Sequence, residues 1–227
     1  MGRGKVKLWW SARGLGSAVK RVVAFSGCSE HGYLEAVEAL RRGGLVIYPT
    51  DTAYALGGDA ENPEAVERVY RVKLRPKEKP LTIAVSDFEM ARRYAVIDER
   101  AEAILREFLP GPITFILRKT KRVPDVVNPR GIGIRIPDNQ IALELISRFG
   151  RAVTATSANL SGNPPPYSAE AAMREIPEAD VVIDAGRLPA RGVSTIVDLR
   201  GRAPALIRPG PVPFERVLAV HRRVVGT

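Results

Sequence analysis

Four polar segments of this chain could carry chemistry, and each sits where a strand or helix ends. The first is Thr50-Asp51-Thr52, directly after the apolar run Leu45–Tyr48 and Pro49. It would deliver two hydroxyls and a carboxylate to the carboxyl end of a strand, where open α/β sheets bind ligands. A turn capped by its own side chains explains the same residues equally well. The second is Lys73-Leu-Arg75-Pro76-Lys77-Glu78-Lys79-Pro80. Two prolines restrain a loop rich in cations, which suits a polyphosphate; the same cations would also favour a helix C-terminus. The third is Gly133-Ile-Arg135-Ile-Pro137, an arginine whose strand neighbours face the other way. If both faces are covered, Arg135 needs an anion, either an internal Asp or Glu or a ligand carboxylate or phosphate. The fourth is Thr154-Ala-Thr156-Ser157-Ala-Asn159-Leu-Ser161-Gly162, small and hydroxylated residues that let a ligand approach the backbone. Ser194-Thr195 and Arg208-Pro209-Gly210 repeat the theme of a hydroxyl or guanidinium at a strand terminus.

Other chemistries are disfavoured. The chain has two histidines and one cysteine, Cys28, which argues against a histidine metal site, a Ser-His-Asp triad or an internal disulfide and fits a reducing, cytoplasmic setting. There is no phosphate-binding Gly-x-x-x-x-Gly-Lys-Ser/Thr loop, no Gly-x-Gly-x-x-Gly and no Gly-x-Ser-x-Gly elbow. No apolar run is long enough to suggest a membrane span. The formal charge of +10 points to an anionic partner, although acidic residues are interleaved along most of the chain and a solubilising surface is the plainer explanation.

The elements that must position these segments follow from periodicity and punctuation. Helices are expected over 34–42, from Asn62-Pro63, from Asp87 into Tyr94, and over 98–109, 139–149, 168–175 and 213–220. Strands are expected over 45–48, 81–85, 113–119, 131–136, 152–155, 181–184, 195–199 and 205–208. Strands outnumber what a simple βα repeat supplies, so the α/β fold should contain a mixed sheet. Residues 1–30 read as a basic N-terminal extension containing Trp9-Trp10 and without the marks of a secretory signal; 31–216 read as the main domain and 217–227 as a helix end and tail.

From about Tyr33 to Phe214 the ordered segments resemble the YrdC-like family of threonylcarbamoyl-adenylate synthases. The resemblance rests on Tyr48-Pro-Thr-Asp-Thr-Ala-Tyr-Ala-Leu-Gly57, Lys73-Leu-Arg75-Pro76, Lys79-Pro-Leu81, Pro110-Gly-Pro-Ile-Thr114, Gly133-Ile-Arg-Ile-Pro137, Thr156-Ser-Ala-Asn-Leu-Ser-Gly162, Ser194-Thr-Ile-Val-Asp198 and Ile207-Arg-Pro-Gly210. It implies a twisted mixed β-sheet surrounded by helices, with a large basic cavity. It implies condensation of L-threonine, bicarbonate or CO2, and ATP into threonylcarbamoyl-AMP with release of pyrophosphate. That product feeds threonylcarbamoyladenosine formation at position 37 of tRNA through a separate transferase complex. Mg2+ is expected to accompany ATP, with no protein metal site. The resemblance assigns the chemistry to Lys73, Arg75 and Arg135, and nucleotide contacts to Lys73, Arg75, Lys79, Ser157, Asn159, Pro165 and Arg208. Threonine contacts fall to Thr50, Thr52, Arg135, Ala155 and Ser194.

Three positions depart from the family pattern. Ala55 stands where a glycine is usual, Lys79 where an asparagine is usual, and Ala84 where a histidine is frequent. Tyr54-Ala-Leu-Gly57 and Thr114–Pro124 lean toward the YciO-type paralogues, whereas Lys73-Leu-Arg75 and Thr156-Ser-Ala-Asn159 look like the synthase branch. The alternatives are a YciO-like paralogue, a double-stranded RNA- or tRNA-binding module on the same concavity, and an enzyme that takes carbamoyl phosphate. The RNA reading has the charge in its favour but few aromatics to stack on bases.

Overall fold

Capping residues set most helix starts. In a computed structural model describing residues 21–24 and 30–226, the Asn62 side chain accepts from the amides of Glu64 and Ala65, with Pro63 at the first helical position. Asp87, Asp98, Asn139 and Ser168 each accept one amide in the same way. The helices are α1 (Glu30–Arg41), α2 (Pro63–Val72), α3 (Phe88–Tyr94), α4 (Glu99–Phe108), α5 (Gln140–Phe149), α6 (Ala169–Glu175) and α7 (Phe214–Val225). Helix α1 begins four residues before the expected start, and α7 runs five past Val220, to a stop at Gly226 with φ 75°. Trp9-Trp10 and Cys28 lie outside the described residues.

The expected mixed sheet forms as two. The strands are β1 (Arg21–Ala24), β2 (Val46–Pro49), β3 (Tyr54–Gly57), β4 (Thr82–Ala84), β5 (Ala95–Val96), β6 (Ile113–Lys119), β7 (Ile132–Arg135), β8 (Val153–Thr154), β9 (Thr156–Ser157), β10 (Val181–Asp184), β11 (Thr195–Asp198) and β12 (Ala205–Arg208). One sheet has the order β1-β10-β2-β3-β9, parallel from β1 to β2 and antiparallel beyond. The other has the order β12-β11-β6-β7-β4-β8, with β5 paired to β6. Strand β1 puts residues of the expected extension in register with β10.

Thr154 stitches the two sheets. Its amide donates to the Gly58 carbonyl at 2.9 Å, its hydroxyl accepts from the Gly58 amide at 2.9 Å, and its carbonyl accepts from the Tyr48 hydroxyl at 3.2 Å. The groups are fully enclosed, so each needs these partners. Alternation does the rest. Ile83 and Ile134 point into the core, while Thr82, Ala84, Gly133 and Arg135, paired in register across β4 and β7, point the other way into a cavity.

Candidate functional site

A cavity of about 520 Å³ opens between the two sheets, within the range of small-molecule sites. One wall is the β2–β3 turn, with Thr50 and Thr52, together with Tyr54 and Ala55 of β3. The floor is β4 and β7; the far wall is the start of β11 and the end of β12, with Ser194 and Arg208. The loop from Arg75 to Leu81 and the segment Ala155–Ser157 close the remaining sides. Nine of the residues expected at the site therefore share one cavity: Thr50, Thr52, Arg75, Lys79, Arg135, Ala155, Ser157, Ser194 and Arg208.

Three others are placed behind or beside the wall. Lys73 is enclosed, with its Nζ donating to the carbonyls of Ser157 and Asn159. Burial, with Arg75 adding to it, pulls its ammonium down to about 7, against a smaller upward pull from Glu175. The Asn159 amide nitrogen donates to the carbonyls of Leu160 and Asn163, at 2.9 and 2.7 Å, so it shapes its own loop. Pro165 is half-buried outside the cavity lining. Leu74, between Lys73 and Arg75, has φ 49°. This left-handed residue ends α2 and sends the two cations in different directions, Lys73 inward and Arg75 to the cavity. Neither cation serves the helix terminus: Arg75 donates from Nε and Nη2 to the carbonyls of Lys79 and Pro80, both at 2.9 Å.

The cavity holds three guanidiniums in unlike settings. Arg135 forms a salt bridge from Nη2 to Asp51 Oδ1 and donates from Nη1 to Thr52 Oγ1 at 3.0 Å. The Thr52 hydroxyl lies 3.0 Å from that of Thr50, which donates to the Ala53 carbonyl at 2.6 Å. The need for an anion at Arg135 is thus met from within the chain, by Asp51. Arg208 rests on Ser194, donating to its carbonyl at 2.7 and 3.1 Å and to its hydroxyl at 3.1 Å. Among the described residues neither Arg75 nor Arg208 has a carboxylate within ion-pair distance. Burial lowers both pKa values, and for Arg208 the neighbouring Arg135 and Arg75 lower it further. An anionic ligand would relieve that crowding. Burial raises the Tyr48 pKa, so its phenol in the wall stays neutral.

Several lining residues were not singled out from the sequence. One is Thr82, which donates to the Ala155 carbonyl at 3.1 Å; Thr114, outside the lining, pairs with Ser194 at 3.0 Å from beneath the wall. A hydroxyl at alternate positions of a strand is the signal that could have found Thr82. Gly210 carries a further constraint. A Cβ there would lie 2.4 Å from the Thr195 amide nitrogen and 2.6 Å from the Val193 carbonyl. Both are backbone atoms beside Ser194, so Gly210→Ala should destabilise the fold by about 1–3 kcal/mol. A lower denaturant midpoint at unchanged slope is the expected reading; an unshifted midpoint would show that the backbone yields.

A family model named Sua5_yciO_yrdC, described as telomere recombination, matches residues 38–210. The chain belongs to the Sua5/YciO/YrdC family. It is 36% identical over 197 residues to a threonylcarbamoyl-AMP synthase of Pyrococcus abyssi, covering 82% of this chain and 58% of the relative, so it spans little more than half of that protein's length. Among solved structures it is similar to P. abyssi Sua5 complexed with L-threonine, with TM-score 0.83, 35% identity, and coverage of 90% of this chain and 61% of that one. It is also similar to Escherichia coli YciO, with TM-score 0.79, 30% identity, and coverage of 87% and 98%. The three departures from the family pattern, Ala55, Lys79 and Ala84, all line the cavity, and Ala84 lies directly opposite Arg135 across the β4–β7 ladder. Among the described residues no helix is long and apolar enough to cross a membrane.

Proposed function

We propose that the chain is an ATP-dependent threonylcarbamoyl-AMP synthase, acting on L-threonine, bicarbonate or CO2, and ATP. The observation that carries this reading is a hydroxyl-lined cavity with three guanidiniums, of which one is matched by a carboxylate and two rest on neutral carbonyls. Such a site has uncompensated positive charge for a polyphosphate and a hydrogen-bonding fork for a carboxylate. The threonine amine adds to the carbon of CO2, forming an N–C bond and releasing a proton to solvent. A carbamate oxygen then attacks the α-phosphorus of ATP. The new O–P bond forms as the bond to the β-phosphate oxygen breaks, and pyrophosphate leaves with the electron pair. Positioning and charge neutralisation carry this chemistry. Arg75, Arg208 and Lys79 take the phosphates; Arg135, Thr50, Thr52 and Ser194 take threonine; and Ala155 and Ser157 present backbone and hydroxyl at the junction. Lys73 and Asn159 act through the loop they hold. Mg2+ would accompany the ATP phosphates.

Mass analysis of the product made from threonine, bicarbonate and MgATP tests the reading. An adduct with the mass of threonylcarbamoyl-AMP is expected, and it should be absent when serine replaces threonine. A second reading, a YciO-type paralogue, is favoured by the fact that this chain spans nearly the whole of E. coli YciO. Absence of the adduct from folded protein would select it. Delivery of the product to a tRNA-modifying transferase is part of the first reading.

A further inference from the structure

Among the described residues the buried pair of Asp51 and Arg135 is the one ion pair at the cavity, and it is incomplete. The two side chains are 3% and 7% exposed, yet Asp51 Oδ2 and Arg135 Nε are buried without hydrogen-bond partners. A buried pair that serves stability is completed by further hydrogen bonds; this one is not. It also sits on the turn whose two threonines face the cavity, with Asp51 turned behind them. Its electrostatic effect is specific. Asp51 balances the charge of Arg135 so that the pair carries no net charge, whereas Arg75 and Arg208 remain uncancelled.

We propose that Asp51 is a specificity-determining residue: by neutralising Arg135 it reserves that guanidinium for a zwitterionic amino acid and denies it to the oxygens of a triphosphate. A ligand of no net charge gains from a directional hydrogen-bonding fork in a neutral patch. A polyanion gains chiefly from net positive charge and is steered to Arg75 and Arg208. Without Asp51 the same cavity would offer three uncancelled guanidiniums, and a triphosphate could occupy the amino acid's place. The inference rests on the synthase reading of the site.

The test uses L-threonine and inorganic tripolyphosphate as probes, titrated calorimetrically alone and in mixture. In the wild-type protein tripolyphosphate should compete with ATP and not with threonine. In Asp51→Asn, tripolyphosphate should now compete with threonine. In the double variant D51N/R135Q that competition should disappear, because the freed charge is gone. Asp51→Glu keeps the negative charge and should go on excluding tripolyphosphate from the threonine site, so the idea stays testable if the asparagine variant fails to fold. A folded Asp51→Asn in which tripolyphosphate still ignores threonine overturns the proposal, and so does an Asp51→Glu that admits it. Wild-type protein that binds no threonine would instead sink the synthase reading and this inference with it.

Discussion

Arg135→Ala is expected to lower threonine affinity by about 100-fold while changing ATP affinity by less than about threefold. Among the described residues the guanidinium is the one cation in the cavity held by a carboxylate, and its remaining donors are the fork proposed for the amino acid. The same change leaves Asp51 as an enclosed carboxylate without its counterion, which costs about 3–5 kcal/mol in comparable cases. Binding and stability must therefore be read separately, by calorimetry on protein shown to be folded and by denaturant melts. Arg135→Ala combined with Asp51→Asn should recover part of the lost stability and none of the threonine affinity. Equal losses for threonine and ATP in the single variant would remove Arg135 from the amino acid's site.

Lys73→Met should be the other large effect, through the loop rather than through direct contact. The Nζ of Lys73 ties the carbonyls of Ser157 and Asn159, and its own carbonyl accepts from the Ser161 amide at 2.9 Å. Methionine keeps the stem, leaves the Asn159 carbonyl without a donor and leaves the Ser157 carbonyl with the Asn159 amide alone, at a cost of about 1–3 kcal/mol. The pH dependence gives this a signature. The folded-state pKa of about 7 lies below the ordinary 10.5, so between these values the unfolded chain holds a proton that the folded one has lost. Stability contributed at Lys73 is therefore fully present above about 10.5, shrinks as pH falls, and is gone below about 7. The stability difference between wild type and Lys73→Met should grow by a few kcal/mol from neutral to alkaline pH, measured by urea melts at successive pH values. A pH-independent difference would show that Lys73 stays charged in its carbonyl cage.

Local signals made much of this fold legible. Asn62, Asp87, Asp98, Asn139 and Ser168 cap helices as their types suggest, and the isoleucines flanking Arg135 do face the core. What escaped local reading depends on distant partners. Strand β3 contains Ala55 and Gly57, poor strand formers, and exists because Tyr48, Ala55 and Ser157 pair across β2, β3 and β9. The extra turns of α7 were signalled by Arg222, Arg223 and Gly226, a basic last turn followed by a glycine stop.

The candidate site divides in the same way. The resemblance implied a cavity, and nine of the expected residues line one. The inward turn of Lys73 hangs on the left-handed conformation of Leu74, a residue whose type gives no hint of it. The partnership of Asp51 with Arg135 spans 84 positions and needs β7 to lie beneath the β2–β3 turn. Charge balance in the cavity, and so the division of labour among its arginines, emerges only when those elements are packed.

Pyrophosphate release from MgATP and bicarbonate, measured with and without L-threonine and with serine as control, tests the central claim most directly. The proposed function predicts release that requires threonine, is not supported by serine, and falls by about 100-fold or more in kcat/KM for threonine in Arg135→Ala. Release that ignores threonine, or none at all from folded wild-type protein, would contradict it.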